Sequence, residues 1–267
     1  MDFRHYLDEI ARLRPEGAPE NLVVLLRVDS TNRVARVVVD EYQAEEQPLH
    51  SLLVLALEQT GGRGRQGRAW TSPAGKGVYA SRVVVVEDAS RLQSLPLLVG
   101  VGLSRALAPY LPSSRSPCLL KWPNDLMVDV GGERRKIGGI LIEAVAQAGL
   151  PAAAVIGFGV NHGHEAGDLP ETGTSLRLLG GIGGVVSLEE LTWALVQGVE
   201  RELTHLGDMS YAAAAWRELA VHRPGDPMTC RTAEGEVEGR FEGLDDQGRL
   251  VLRSGGRERR LSSGEVI

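Results

Sequence analysis

From about His222 onward the chain changes texture, and that change sets its architecture. Residues 227–267, "PMTCRTAEGEVEGRFEGLDDQGRLVLRSGGRERRLSSGEVI", are short β runs separated by EG, DDQG and SGG turns. Short strands with turn residues at every break predict a small β-barrel. A module of about 45 residues buries too little surface to stand alone, so it is expected to dock on what precedes it.

What precedes it alternates longer strands with helices. Phe3, Leu7, Ile10 and Leu13 recur at helical spacing until Pro15 and Gly17 stop them. "LVVLLRV" (22–28) and "SLLVLAL" (51–57) read as buried strands, and "DSTN" between them offers Asp29 or Ser30 as the cap of a helix carrying Val34, Val37 and Val38. "GVYASRVVVV" (77–86), "CLLKW" (118–122) and "AAAVIGFGV" (152–160) are further strands. Residues 125–146 read as a hairpin turning at Gly131-Gly132. Residues 90–111 predict one long apolar helix, and 187–206 and 210–220 two more. The expectation is an α+β, mixed-sheet domain over 1–220 and a β-barrel over 221–267.

Composition excludes several classes. A formal net charge of −6 leaves no general basic field for nucleic acid, so a site for an anion must be a local concentration of Arg and Lys. Cys118 and Cys230 are far apart and form no ligand pattern, which fits a reducing cytoplasm rather than a disulfide framework. "MDFRHYLDEI" is charged from residue 2, unlike a signal peptide, and no apolar run approaches the roughly 20 residues of a membrane span.

The local concentration is "EQTGGRGRQGRAW", Glu58 to Trp70. Gly62-x-Gly64-x-x-Gly67 has the letters of a dinucleotide fingerprint, but that turn must open into a helix, and Pro73, Gly75 and Gly77 deny one. A solvated basic loop is the plain alternative. Against it, Trp70 is a large apolar group ending a polar loop, fit to stack on a ring. Gly and basic segments also recur at other strand ends: "KWPND" (121–125), "KIGGILIE" (136–143) and "GFGVN" (157–161). Arg63, Arg65, Arg68, Lys121 and Lys136 together suit phosphate oxygens. Asn124 and Asp125 offer oxygens for Mg²⁺ or a ribose. The glycines admit a ligand close to backbone. Walker A, HExxH and GxSxG sequences are absent. Anion handling without a covalent protein nucleophile points to activation of a carboxylate by a nucleotide.

These segments, in this order and over essentially the whole chain, resemble those of the biotin protein ligases (biotin–[acetyl-CoA-carboxylase] ligases). The resemblance implies the biotin/lipoate ligase type of catalytic fold with an SH3-like C-terminal barrel. It implies synthesis of biotinyl-5′-AMP from biotin and MgATP, then transfer of biotin to one lysine of the carboxyl carrier protein of acetyl-CoA carboxylase or a related carboxylase. On this likeness Ser30, Thr31 and Gln59 meet the ureido ring and its surroundings, with Asn32 and Gly62 beside them. Arg63 and Arg65 hold biotin and the acyl phosphate. Arg68, Lys121, Asn124 and Asp125 meet the nucleotide, Asp125 also Mg²⁺, and Trp70 lies against adenine. Lys136 is the main catalytic candidate, with Arg65 beside it. Gly139 and Leu141 line the biotin side, and Gly157 and Asn161 the ligand floor.

Many relatives have Arg where this chain has Gln66. Only 28 residues precede Asp29, room for one helix and one strand rather than a winged helix, so no DNA partner is expected. His162 and His164 read as loop residues, since two ligands without a third rarely hold a metal, and "ERRK" as a solvated face. The alternatives are a lipoate- or octanoate-type acyl ligase on the same fold, or a nucleic-acid-binding regulator using barrel and basic loop. A homodimer through the main sheet stays open. The Gly/Arg loop itself is expected to be disordered when empty, because ordering four glycines costs backbone entropy that nothing apolar in 61–68 offsets, and to be ordered by biotin with ATP, whose acyl phosphate gives Arg63, Arg65 and Arg68 partners.

Overall fold

A computed structural model describes residues 2–49, 51–112, 117–145, 152–180 and 186–267. Helix α1 (Phe3–Arg12) leads into strand β1 (Asn21–Val28), helix α2 (Thr31–Ala44) and strands β2 (Leu52–Gln59) and β3 (Gly77–Val86). Helix α3 (Leu95–Leu107) precedes β4 (Leu119–Lys121), β5 (Asp125–Val130), β6 (Glu133–Val145) and β7 (Ala152–Asn161). Helices α4 (Leu176–Leu179), α5 (Leu188–Leu203) and α6 (Met209–Leu219) follow, then β8 (Pro227–Thr232), β9 (Gly235–Leu244), β10 (Leu250–Ser254), β11 (Arg257–Leu261) and β12 (Glu265–Val266).

The first seven strands form one sheet in the order β1-β2-β3-β7-β6-β5-β4. Only β1 and β2 run parallel, with α2 as their crossover; every other neighbouring pair is antiparallel. The sheet is therefore mixed, as expected. Side chains alternate between its faces. One face, with Leu53, Leu55, Leu57, Ile156, Phe158 and Val160, lies in the large core under α3 and α5. The other face, with Leu52, Val54, Val83 and Val155, packs on Ala35 and Val39 of α2. That helix covers only part of its face, and beyond its N-terminus the strands present glycine and polar residues.

The expected single helix over 90–111 is three pieces: 3₁₀ turns at Ala89–Ser94 and Ala108–Tyr110 flank an α-helix of thirteen residues. The apolar pattern carried no information about the turn type at its ends. Pro96 sits in the first turn of α3, where its missing N–H is not needed. The hairpin turns where expected, with Gly131 and Gly132 both at positive φ.

The last five strands form a second, antiparallel sheet ordered β11-β10-β9-β8-β12. Its buried Met228, Phe241, Leu250 and Leu252 join the core cluster of the first unit. The connector docks as well, since Val221 N–H donates to Leu120 O of β4. The short module is thus completed by its neighbour rather than by its own core.

Candidate functional site

The open part of the sheet becomes a cleft through three glycines. Gly157 and Gly159 lie two apart on β7, and Gly139 on β6 pairs with Gly159, so all three face the same side. A Cβ at residue 157 would overlap the Asn32 amide, and one at residue 159 would lie 2.8 Å from Trp70 Cε2. A Cβ at residue 139 would lie 3.4 Å from Lys136 Nζ. These glycines are required because Asn32, Trp70 and Lys136 lie almost on the backbone.

Lys136 and Gly139 are three apart, and strict alternation on a strand would put them on opposite faces. The β5–β6 ladder breaks between Leu126 and Met127: Leu126 pairs with Gly138, but Met127 with Lys136. This bulge inserts Ile137, which is fully buried in the core. It turns Lys136 back to the cleft, and is the physical content of the K-x-x-G spacing. Lys136 is further pinned through its backbone, donating to Thr172 O (2.8 Å) and accepting from Thr174 N (2.9 Å). Its ammonium pairs with Asp125 Oδ1 at 2.6 Å and stands 5.4 Å over the Trp70 ring.

At the opposite end lies a polar group. Ser30 caps α2 and is buried with Thr31 and Asn32. Gln59 Oε1 accepts from Thr31 N (2.9 Å), and Gln59 Nε2 donates to Ser72 Oγ (3.0 Å). Arg63, Arg65 and Arg68 rim the cleft, as do Lys121, Asn124, Leu141 and Asn161. Asn124 Nδ2 donates to Ile140 O (2.8 Å), locking the turn after β4 onto β6. Two buried polar atoms here have no partner within the described residues, Trp70 Nε1 and Asn161 Oδ1. A lone buried donor or acceptor costs free energy, about 1–3 kcal/mol, that a polar ligand or water can recover.

Every candidate site residue named from the sequence lines this cleft except Gly62. Gly62 is buried beneath the loop, where a Cβ would come within 2.7 Å of Ser72 Oγ. Its role is to let the loop close on the Trp70–Ser72 segment, with Trp70 N donating to Gly62 O at 2.9 Å.

The Gly/Arg loop makes contacts within the chain that its sequence did not announce. Its apex, Arg65–Gly67, is a 3₁₀ turn with Gln66 at φ 56° and Gly67 at φ 74°. Two of its arginines already have partners: Arg65 Nη1 donates to Gly264 O (3.1 Å), and Arg68 pairs with Glu265 (2.6 Å). Burial holds the Arg65 pKa below its ordinary value; Asp125 acts against this and the Arg68 charge with it. A guanidinium stays charged regardless. Burial also raises the Glu265 carboxyl, but the Arg68 hydrogen bond and charge outweigh it and leave the net shift downward. Gly264, Glu265 and Val266 therefore line the cleft from the second unit. No local signal in the sequence announced that contact, because it depends on how two units dock. Ser81 and Glu143 were also missed, each read only as one more position of a strand.

His164 is fully buried, its Nε2 3.5 Å from Tyr79 Oη, and burial lowers its pKa. Among the described residues no three His, Cys, Asp or Glu side chains converge as a metal site, and no helix is long and apolar enough to cross a membrane.

This geometry can be set beside known proteins. Residues 24–161 match the Biotin/lipoate A/B protein ligase family, and residues 227–267 match the Biotin protein ligase C terminal domain. A biotin–[acetyl-CoA-carboxylase] ligase of Paracoccus denitrificans is 32% identical over 252 residues, covering 91% of this chain and 99% of that protein. The ligase of the same name from Mycobacterium tuberculosis is 30% identical over 223 residues, covering 82% and 79%. The structure of a biotin protein ligase from Aquifex aeolicus in complex with biotin and ATP superposes with a TM-score of 0.69 at 23% identity, over 93% of this chain and 98% of that one. A mixed sheet with a glycine-floored, arginine-rimmed cleft, closed by a second antiparallel unit and matched over its length by such relatives, places the chain in the biotin/lipoate A/B protein ligase family, among its biotin protein ligases.

Proposed function

We infer that this protein activates biotin with ATP to biotinyl-5′-AMP and transfers biotin to a lysine of a biotin carboxyl carrier protein of the acetyl-CoA carboxylase type. The observation that carries the reading is the pairing of a polar, buried pocket end with a cationic one inside a single cleft. A ligand with a polar ring and a reactive carboxylate fits that asymmetry.

In the first step the biotin carboxylate oxygen bonds to the α-phosphorus of ATP and pyrophosphate departs. Both reactants are anionic, so positive charge must be in place first. Arg63, Arg65 and Lys136 supply it, and the Lys136–Asp125 pair holds the ammonium over the cleft. In the second step the carrier amine attacks the acyl carbon, AMP leaves, and the amine loses a proton. Lys136 stabilises the developing oxyanion and the departing phosphate. Trp70 offers its ring to the nucleotide base. Gly264 and Glu265 hold Arg65 and Arg68 at the rim until phosphate oxygens compete for them.

Magnesium fits as an ion carried by the nucleotide. The cleft presents two carboxylates, Asp125 and Glu265, the latter engaged by Arg68, and Mg²⁺ is commonly held by one or two carboxylates plus substrate phosphates. Bound there it would offset charge on the phosphates; Asp125 would hold it, at the cost of loosening Lys136.

The test is transfer of labelled biotin to a purified carrier domain. Label should appear on the carrier only with ATP present. Lipoate transferred in place of biotin, or no ATP dependence, would overturn the reading.

A further inference from the structure

We propose that Ser81 and Glu143 are positioning residues that set the hydrogen-bond polarity of Thr31, so that the pocket demands an N–H donor from its ligand. The proposal rests on biotin being that ligand, since its cyclic urea carries such donors.

The argument is proton counting along a chain of side chains. Asn32 Nδ2 lies 3.2 Å from Leu141 O and 2.6 Å from Glu143 Oε2. Both are acceptors only, so the Asn32 NH₂ group must face them and Oδ1 must face the other way. Asn32 Oδ1 then lies 2.6 Å from Ser81 Oγ. An amide oxygen cannot donate, so Ser81 spends its one proton there. Ser81 Oγ also lies 2.8 Å from Thr31 Oγ1. With the Ser81 proton already used, that contact needs the proton of Thr31. The other oxygen near Thr31 Oγ1, Gln59 Oε1 at 3.2 Å, is farther away and already accepts from the Thr31 backbone. The Thr31 hydroxyl is left with lone pairs and no proton to offer. Thr31 lines the cleft and is 3% exposed, so those lone pairs face the ligand.

Burial makes this ordering strict. Thr31, Asn32 and Ser81 are all buried, and in such surroundings a mismatched pair of acceptors is not rescued by water. Neither Ser81 nor Glu143 lines the cleft. Glu143 is exposed, and acts from outside the pocket through Asn32.

The experiment measures binding by calorimetry for biotin and for the two cyclic carbamates in which one ureido N–H is replaced by oxygen. These are nearly isosteric with biotin but present an acceptor where it presents a donor. Wild type should prefer biotin over the carbamate that faces Thr31 by on the order of 10²-fold, the cost of opposing two buried acceptors. In Ser81→Ala the Thr31 proton loses its nearer acceptor and only the longer 3.2 Å contact with Gln59 Oε1 competes with the ligand for it, so the preference should fall below about tenfold. Glu143→Leu, a surface change that spares folding, should move the preference in the same direction by a smaller amount, because Asn32 loses the nearer of the two acceptors that orient it and keeps Leu141 O. Glu143→Gln keeps an acceptor oxygen and should restore the wild-type preference. A purely structural role would weaken both ligands equally and leave their ratio alone. An unchanged ratio in Ser81→Ala and Glu143→Leu, with biotin still bound by wild type, sinks the relay; failure of wild type to bind biotin sinks the ligase reading itself.

Discussion

The two faces of the main sheet use glycine for opposite ends. Under the helices, Gly102 of α3 and Gly198 of α5 face each other: a Cβ at residue 102 would lie 2.6 Å from Gly198 O, and one at 198 would lie 2.5 Å from Gly102 O. There the missing side chains bring two helices together and leave no room. On the cleft face, the missing side chains at Gly139, Gly157 and Gly159 make room, which Asn32, Trp70 and Lys136 occupy in part. The same residue type builds density on one face and a binding surface on the other. What decides is whether the facing element is apolar and continuous, like α3, or a helix end and a loop.

That contrast can be broken from either side. The largest effect is expected at the cleft. Lys136→Gln should lower the rate of adenylate formation by on the order of 10²–10³, the usual loss when a charge aimed at a reacting phosphate is removed. Its melting temperature should stay at the wild-type value, since the side chain is a third exposed and its loss leaves no cavity. Pyrophosphate release at the wild-type rate would remove Lys136 from the mechanism.

Next is Gly102→Val, where the three carbons of an isopropyl group must enter a closed helix contact. Overpacking of that kind costs about 3 kcal/mol, which lowers the melting temperature by roughly 6–10 °C in a protein of this size. The biotin affinity of the folded fraction should be unchanged. A drop in affinity with normal stability would mean that the helical face reaches the ligand after all.

Smaller again is Gly157→Ala. Its Cβ would displace the Asn32 amide, which is fixed by Ser81, Leu141 and Glu143. Biotin binding should weaken by about tenfold, or roughly 1.4 kcal/mol, while thermal stability falls by less than in Gly102→Val. A stability loss as large as that of Gly102→Val would erase the distinction between the faces.

The contrast also explains what could be read in advance. Continuous apolar runs announced β1, β2, β3 and β7, and paired glycines announced the β5–β6 turn. The Gly/Arg loop and K-x-x-G were legible as chemistry because charge beside glycine is unusual in a core strand. The bulge that makes K-x-x-G work was not legible, because it depends on register between strands. Ser81 was hidden for a related reason. In "GVYASRVVVV" it looks like a polar interruption, and only pairing with Gly157 puts it beside Asn32. Glu143 closes the KIGGILIE segment with no role legible there, and it is exposed; its reach to Asn32 is tertiary. The arginine contacts with Gly264 and Glu265 span the boundary between two units, where no local pattern operates.

Those last contacts bear on how the molecule comes together. Arg65 and Gly264 are 199 positions apart. Closing so long a segment carries a large entropy cost that is repaid only once both ends are ordered, so such contacts form late in folding. The cleft is therefore incomplete in any partly folded state in which the second unit has yet to dock. Such states offer the ligand no complete surface, and ligand binding withdraws population from all of them at once. A small molecule bound at the seam would act as a fastener for the whole chain, coupling the opening of its two ends into a single event.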